Sequence, residues 1–155
     1  MAFLLERDAI NGKQGKAILT LDGNNYQLFS VKKLQADLEF QKTDFKVVGT
    51  TTVQQKTTGV KKTGTMTIYY GTPYFVEMAR EYEKNGKVIY FTLQVENDDP
   101  SVSVGKQTVV LYNCSLDKIP LAMLDADSDF LEEEVGFSYT GFEVLEAFHG
   151  PTSLG

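Results

Sequence analysis

Between Gly49 and Gly64 runs GTTTVQQKTTGVKKTG, sixteen residues with no acidic group and only Val53 and Val60 apolar. The segments on either side alternate apolar and polar residues, the period-two signature of β-strands with one buried face. Connections of this length without structure of their own are uncommon in compact domains. Its six threonines favour extended backbone, because β-branched side chains fit a pleated strand. Lys56, Lys61 and Lys62 make it basic. The stretch therefore predicts a long hairpin arm over about 49–64 that leaves a small β-domain and finds its partner on another molecule. Thr50, Thr51, Thr52, Val53, Gln54, Gln55, Lys56, Thr57, Thr58, Lys61 and Lys62 are its candidate contact residues.

The body to which this arm belongs is mainly β. Ala17–Leu21 and Tyr26–Phe29 flank Asp22-Gly23-Asn24-Asn25, a hairpin signal because these residues tolerate positive φ. Leu34, Ala36, Leu38 and Phe40 alternate with polar residues, and after Phe40 the phase slips to Phe45 and Val47. A bulge, or a strand that changes its packing surface as it leaves the core, explains such a slip. Met66, Ile68 and Tyr70 mark the inner face of the next strand, and Ile89, Phe91, Leu93 and Val95 that of a strand over Val88–Glu96. Further strands are expected over Thr108–Leu116 and, long or broken, over Phe130–Glu146, with Phe137, Tyr139 and Val144 facing inward.

One helix interrupts the strands, over about 72–85. Thr72 is placed to cap it, Pro73 suits its first turn, and Phe75, Met78, Ala79 and Tyr82 fall on one stripe. Asn85-Gly86 ends it in a left-handed cap. The expectation is an antiparallel β-sandwich or barrel whose open face or end the helix covers.

Size and composition agree with one domain over 1–155, with residues 1–11 an N-terminal arm and 148–155 a loose tail. The lone Cys114 rules out an intrachain disulfide framework and suits a reducing compartment. Near the N-terminus the apolar run is only Phe3-Leu4-Leu5, unlike a secretory signal, and no window approaches the roughly 18 apolar residues of a membrane helix. Neither export nor membrane anchoring is expected.

Chemistry is thinly provided. His149 is the only histidine, which excludes a histidine triad or a multi-histidine metal site within one chain. Cys114, mid-strand, reads as a small buried hydrophobe. Asp125-Ala126-Asp127-Ser128-Asp129 begins like a calcium loop, but Phe130 stands where the glycine belongs. Gly12-Lys13-Gln14-Gly15-Lys16 lacks the hydroxyl residue and the context of a phosphate loop and reads as a turn. No catalytic residue, metal or cofactor is expected.

The net charge of -6 is unevenly spread. Residues 1–64 carry 10 Lys and Arg against 6 Asp and Glu, and residues 65–155 carry 5 against 15. The acidic cluster Asp125, Asp127, Asp129, Glu132, Glu133 and Glu134 forms either a solvated face or the partner surface of a basic arm on another copy. An acidic chain is poorly suited to tight nucleic-acid binding, since affinity for phosphate comes from Lys and Arg.

Several segments taken together resemble a known family. They are KTTG at Lys56–Gly59, TGTMTIYYGTPYF leading into the helix, YFTLQ at Tyr90–Gln94, and the run from Thr108 to Tyr139 with LEEEV at Leu131–Val135. Their order and spacing resemble the tail tube proteins of contractile-tailed phages and phage-tail-like bacteriocins, from about Gly12 to Ala147. The resemblance implies the fold shared with the type VI secretion tube protein: a β-sandwich or barrel closed by one helix. It implies rings of six subunits, stacked into a hollow tube inside a contractile sheath, that carries DNA or pierces an envelope. It also implies sheath, tape-measure, baseplate and tail terminator proteins as partners, with assembly in a bacterial host cytoplasm before incorporation into the particle. A wall past which DNA slides should be negative or mixed in sign, and Asp37, Glu39 and Glu143 are the candidates for it. The competing reading from composition alone is a small intracellular β-barrel that binds a lipophilic ligand or acts as a cytosolic enzyme.

Overall fold

The computed structural model describes residues 9–27, 31–70 and 73–150. Eight strands and one helix follow in the order β1 Gly15–Leu21, β2 Asn24–Gln27, β3 Val31–Phe45, β4 Gln54–Tyr69, α1 Tyr74–Asn85, β5 Phe91–Asp98, β6 Lys106–Lys118, β7 Glu132–Ser138 and β8 Gly141–Glu146. Every pairing is antiparallel. The strand order is β2-β1-β5-β6-β7-β4-β3, with β8 beside β6. The expected class is therefore present, but the sheet is open: no pairing joins the outer strands β2 and β3 among the described residues. They are nevertheless consecutive in the chain, and the four residue steps from Gln27 to Val31 span at most about 14 Å. The sheet must roll until its two edges approach.

The roll is made at β6. Its first part pairs with β5 through Cys114 and with β8 through Tyr112, and its last part with β7 from Ser115 onward. Where the roles change, Asn113 has φ 53, and the register against β5 slips between Phe91 and Leu93. A left-handed residue inside a bulge bends a strand and sharpens its twist, and asparagine tolerates that conformation. The expected strand from Phe130 to Glu146 is correspondingly broken at the same level, and Thr140 N–H bonds the Tyr112 carbonyl at 3.2 Å. Phe137 and Tyr139 face the core as expected. Val144 does not: it is 47% exposed, because β8 lies beyond the bend and has left the core.

One cluster fills the rolled sheet: Leu19, Leu93, Leu111, Cys114, Val135, Phe137, Met66 and Ile68 from the strands, and Phe75 and Met78 from α1. Phe75, Phe91, Phe137 and Tyr139 follow one another with ring centroids 6.2 to 6.5 Å apart. A lipophilic-ligand barrel needs a cavity here, and the space is occupied by side chains. Cys114 is wholly buried, and burial pushes its thiol up to about 12.

The helix follows its sequence signals except at Tyr82. Thr72 lies outside the described residues, and the Pro73 carbonyl accepts the Glu77 N–H at 3.1 Å. Gly86, at φ 67, closes the other end with its N–H on the Tyr82 carbonyl at 2.7 Å. Phe75 and Met78 enter the core, whereas Tyr82 is exposed, since only the first two turns lie over it. Tyr74 packs on Tyr26 of β2 with centroids 5.0 Å apart, so the helix covers the sheet beside its β2 edge.

Sequence patterning overreached elsewhere where a strand outruns the core. Phe40 and Tyr70 continue the inner faces of β3 and β4 but are exposed, and β5 begins at Phe91 rather than Val88. The chain near Asn11 is anchored: the Asp99 carboxylate accepts the N–H of Asn11 at 3.0 Å and the N–H and hydroxyl of Ser101 at 3.0 and 2.6 Å. These donors, the Ser101 hydroxyl foremost, hold its carboxyl below the usual range. At the other terminus, Phe148 N–H reaches Gln107 Oε1 at 3.4 Å and His149 N–H reaches the Val104 carbonyl at 3.0 Å. The tail expected to be loose from 148 is thus held through His149.

Two predictions follow from the bend and the core. Replacing Asn113 by valine, which is strained in the left-handed region, should lower stability by about 1–2 kcal/mol, while Asn113→Gly should be close to neutral by thermal denaturation. Glu133 is 1% exposed, its Oε1 has no hydrogen-bond partner, and desolvation raises its pKa above the ordinary 4.5. Between pH 4.5 and the raised folded value the folded chain binds more protons than the unfolded one, so stability present below 4.5 is lost as pH rises through the folded pKa. Glu133→Gln removes the charge but not the unpaired oxygen, so its denaturant midpoint relative to the parent should rise between about pH 4 and pH 7; a difference that stays flat with pH would show that the carboxylate's charge is not at issue.

Candidate assembly interface

The arm is larger than the sequence suggested, and half of it is a different strand. β3 and β4 pair along their whole lengths, from Val31↔Ile68 to Phe45↔Gln54. Only Thr63–Tyr69 of β4 also pairs with β7. Leu38–Phe45 and Gln54–Lys62 consequently form a free two-stranded ribbon, about 30 Å long at the usual rise per residue. A register shift between Gln41 and Lys42 leaves Thr58 unpaired, with its hydroxyl on the Gln41 carbonyl at 3.3 Å. That bulge lies next to the phase slip seen in the sequence. Past it, Phe45 lies on the face opposite Phe40, and both are exposed because the ribbon has no second layer.

Thr50, Thr51, Thr52 and Val53 lie in the tip loop, where Gly49 takes φ 104 and Thr52 N–H bonds Thr50 Oγ1 at 3.1 Å. Gln54, Gln55, Lys56, Thr57, Thr58, Lys61 and Lys62 lie on β4. Lys61 stands across from Glu39, and Lys56 across from Thr43. Lys62 is at the root and donates to its own Thr140 carbonyl at 3.1 Å. Gly64 marks the root itself: a Cβ there would meet the Phe137 ring at 2.5 Å and the Gln35 carbonyl at 2.9 Å. The neighbouring leg of β3, with Phe40 and Phe45, was not read as part of the arm. The slip in its alternation was the available signal.

The acidic cluster sits at the far end of the same strand. Tyr69, the last residue of β4, pairs with Glu132, the first of β7, and Tyr70 N–H bonds the Leu131 carbonyl at 2.9 Å. The loop 119–131 therefore rejoins the sheet at the end of β4 opposite the arm. Asp125, Asp127 and Asp129 are exposed on it. Asp125 shapes the loop, accepting Asp127 N–H on Oδ1 at 3.0 Å. The strand that follows divides the remaining carboxylates. Glu132 pairs with Lys32 at 2.6 Å, Glu133 faces the core, and Glu134 is exposed. Glu133 is thus no surface residue, because residues 133, 135 and 137 share the inward face of β7. Sequence reasoning passed over the apolar part of this loop: Leu121, Leu124 and Phe130 are exposed, Phe130 with its ring 6.3 Å from that of Tyr69.

The three lumen candidates do not share one patch. Asp37 and Glu39 are two residues apart on the solvent face of β3, and Asp37 accepts from Gln35 Nε2 at 3.0 Å. Glu143 is on β8, away from β3 in the strand order, and accepts the Tyr112 hydroxyl at 2.8 Å, which raises the pKa of that tyrosine. Among the described residues no three His, Cys, Asp or Glu side chains are grouped to hold a metal, and no helix is long and apolar enough to cross a membrane. The concavity between α1 and the end of β6, about 420 Å³, is an open groove lined by Met78, Tyr82, Val88, Leu116 and Ile119 among others.

Comparison with known proteins agrees with this geometry. The family described as phage tail tube protein matches residues 2–146. The phage-like element PBSX protein XkdM of Bacillus subtilis (strain 168) is 39% identical over 143 residues, covering 92% of this chain and 95% of its own. A chain of the six-fold symmetrised anti-feeding prophage baseplate superposes with a TM-score of 0.66 at 11% identity, over 91% of this chain and 97% of that one. A chain of the PVC sheath–tube complex of an extracellular contractile injection system gives 0.65 at 12%, over 90% and 92%. The likeness to these two solved structures is one of fold, whereas the family match and the Bacillus relative extend over nearly the whole sequence. The chain belongs to the phage tail tube protein family and is a structural subunit of a tail tube.

Proposed function

We propose that this subunit closes into rings of six that stack head to tail into a hollow tube, the DNA conduit or envelope-piercing rod of a contractile tail. The observation that carries the reading is the polarity of β4. One end continues into a basic ribbon whose two strands pair only with each other beyond the root among the described residues, and the other meets an acidic, partly apolar loop. Unlike surfaces at opposite ends associate head to tail, and such contacts propagate into filaments when they do not close on themselves. Around the ring, the outer strands β2, β3 and β8 offer edges that are unpaired among the described residues and that a neighbour can cover. Six-fold symmetry is supported by the symmetrised assembly that contains a chain of the same fold.

The role is mechanical rather than catalytic. The one thiol is buried and held far from ionisation, and the one histidine has its backbone tied to Val104. Asp37, Glu39 and Glu143 remain the candidates for a non-adhesive lumen, since phosphate is repelled by carboxylate and held by Lys and Arg. Asp125, Asp127, Asp129 and Glu134 are the carboxylates open to an arm from another copy. A sheath is the first expected external partner, from the sheath–tube complex of like fold. Tape-measure, baseplate and terminator proteins would meet the inside and ends of the tube. Assembly would take place in the host cytoplasm before the tube enters a phage or bacteriocin particle.

Shortening the arm tests the reading. Replacing residues 41–59 by Asn-Gly joins the paired residues Phe40 and Val60 through a two-residue hairpin turn. The ribbon pairs only with itself there, so the variant should fold with an unchanged melting curve and stay soluble. Negative-stain micrographs should show rings or monomers and no tubes. Tubes of normal length and diameter from this variant would sink the arm's assigned role.

A further inference from the structure

Phe142 and Val144 of β8 are 49% and 47% exposed although they stand on the core side of their sheet. Their partners on β6 are Leu111, which is buried, and Val109, which packs against the core. Residues directly opposite in an antiparallel pair share a face. The core surface therefore continues onto β8 and ends there uncovered, because β6 turns away to join β7 after Cys114. The outer edge of β8 has no partner among the described residues either. An apolar strand with an open edge invites uncontrolled pairing.

A segment of matching character starts close by. Ahead of the described residues, which begin at Ala9, the sequence reads Met1-Ala2-Phe3-Leu4-Leu5-Glu6-Arg7-Asp8. In an extended segment Phe3 and Leu5 share one face, at the two-residue spacing of Phe142 and Val144. Asn11, six residues past Leu5, is fixed in place: its N–H bonds the Asp99 carboxylate at 3.0 Å, and Asp98 N–H bonds the Gln14 carbonyl at 3.3 Å. This anchor lies at the end of the sheet where β8 finishes, since Asp98 pairs with Lys106 and Glu146 with Thr108.

Reach and direction both agree. The lane outside β8 is three strand spacings from β5, about 15 Å, and Val144 stands about 10 Å back along the strand from that end. Together these make about 18 Å, and six residue steps span about 20 Å. A chain that reaches Asn11 along this lane runs parallel to β8, which brings Phe3 to the level of Phe142 and Leu5 to that of Val144. The other terminus fits less well. Beyond His149, whose N–H is held on the Val104 carbonyl, Leu154 is the one large aliphatic side chain.

We propose that residues 2–6 lie along the free edge of β8 in their own subunit as a parallel strand, with Phe3 on Phe142 and Leu5 on Val144. The added strand carries the core across β8 and closes one edge of the sheet, which leaves β2 and β3 as the edges open to neighbouring copies. It belongs to the single subunit and does not depend on the tube reading.

Two cysteine pairs in the full chain test the placement: Leu5→Cys with Val144→Cys, and Phe3→Cys with Phe142→Cys. Residues side by side on adjacent strands are about 5 Å apart, a separation that a disulfide bridges. Under mild oxidation each pair should close within one chain, giving a faster monomer band on a non-reducing gel at a rate unchanged by dilution. Leu5→Cys with Glu77→Cys, on the exposed side of α1, should not close. Cys114, buried and with its thiol pushed up to about 12, stays silent. As a second readout, Leu5→Asp should speed hydrogen exchange over residues 141–146 by about tenfold or more and leave 91–98 unchanged. Failure of both pairs to close, or exchange over 141–146 that ignores Leu5→Asp, overturns the proposal. Cross-links that form only between chains, and faster at higher concentration, overturn it as well, by giving the β8 edge to a second copy.

Discussion

The bend in β6 at Asn113 is the constraint on which the rest of this fold depends. A straight strand of thirteen residues would pair with one neighbour on each side and extend a flat sheet. By turning where β8 gives way to β7, β6 serves both halves of the sheet and lets their inner faces meet. The aromatic run from Phe75 to Tyr139 exists only because of that meeting, since its rings come from α1, β5 and β7 together with the residue that follows β7. The cost of a left-handed asparagine and a lost ladder position is small beside the apolar burial it permits.

The rolled core in turn sets how far the arm reaches. β3 and β4 run beyond the core because their hydrogen-bond partners are each other, so the ribbon needs no second layer to remain extended. Gly64, where Phe137 packs against the backbone, marks the boundary between strand held by the core and strand held only by its neighbour. An isolated ribbon that exposes Phe40, Phe45, Val48 and Val60 is an aggregation hazard in a monomer. In the stacked arrangement proposed above, the same exposure becomes a surface for the neighbouring copy. Lys42, Lys56 and Lys61 along the ribbon oppose edge-to-edge pairing.

Carboxylates show how one sequence cluster separates into different physical roles. Along Glu132-Glu133-Glu134, successive side chains alternate across β7. The first holds Lys32, the second is buried without a partner for Oε1, and the third meets solvent. Burial of Glu133 disfavours its charged form, so this position works against stability at neutral pH.

What the amino-acid sequence determined by itself was local. Period-two alternation fixed most strands, Asp22-Gly23 the first hairpin turn, and the Phe75–Met78 spacing with Gly86 the helix and its end, because these depend on neighbours a few residues away. The threonine-rich basic run identified the arm for the same reason. Only the tertiary structure decided which apolar residues are inside. Phe40, Tyr70, Tyr82 and Val144 continue correct patterns and are exposed, since a pattern records the face of an element and not where the opposing layer ends. The burial of Glu133 and the placement of arm and acidic loop at opposite ends of β4 were likewise settled by strand register, which pairs residues as far apart as Tyr69 and Glu132 and has no signature in either segment alone.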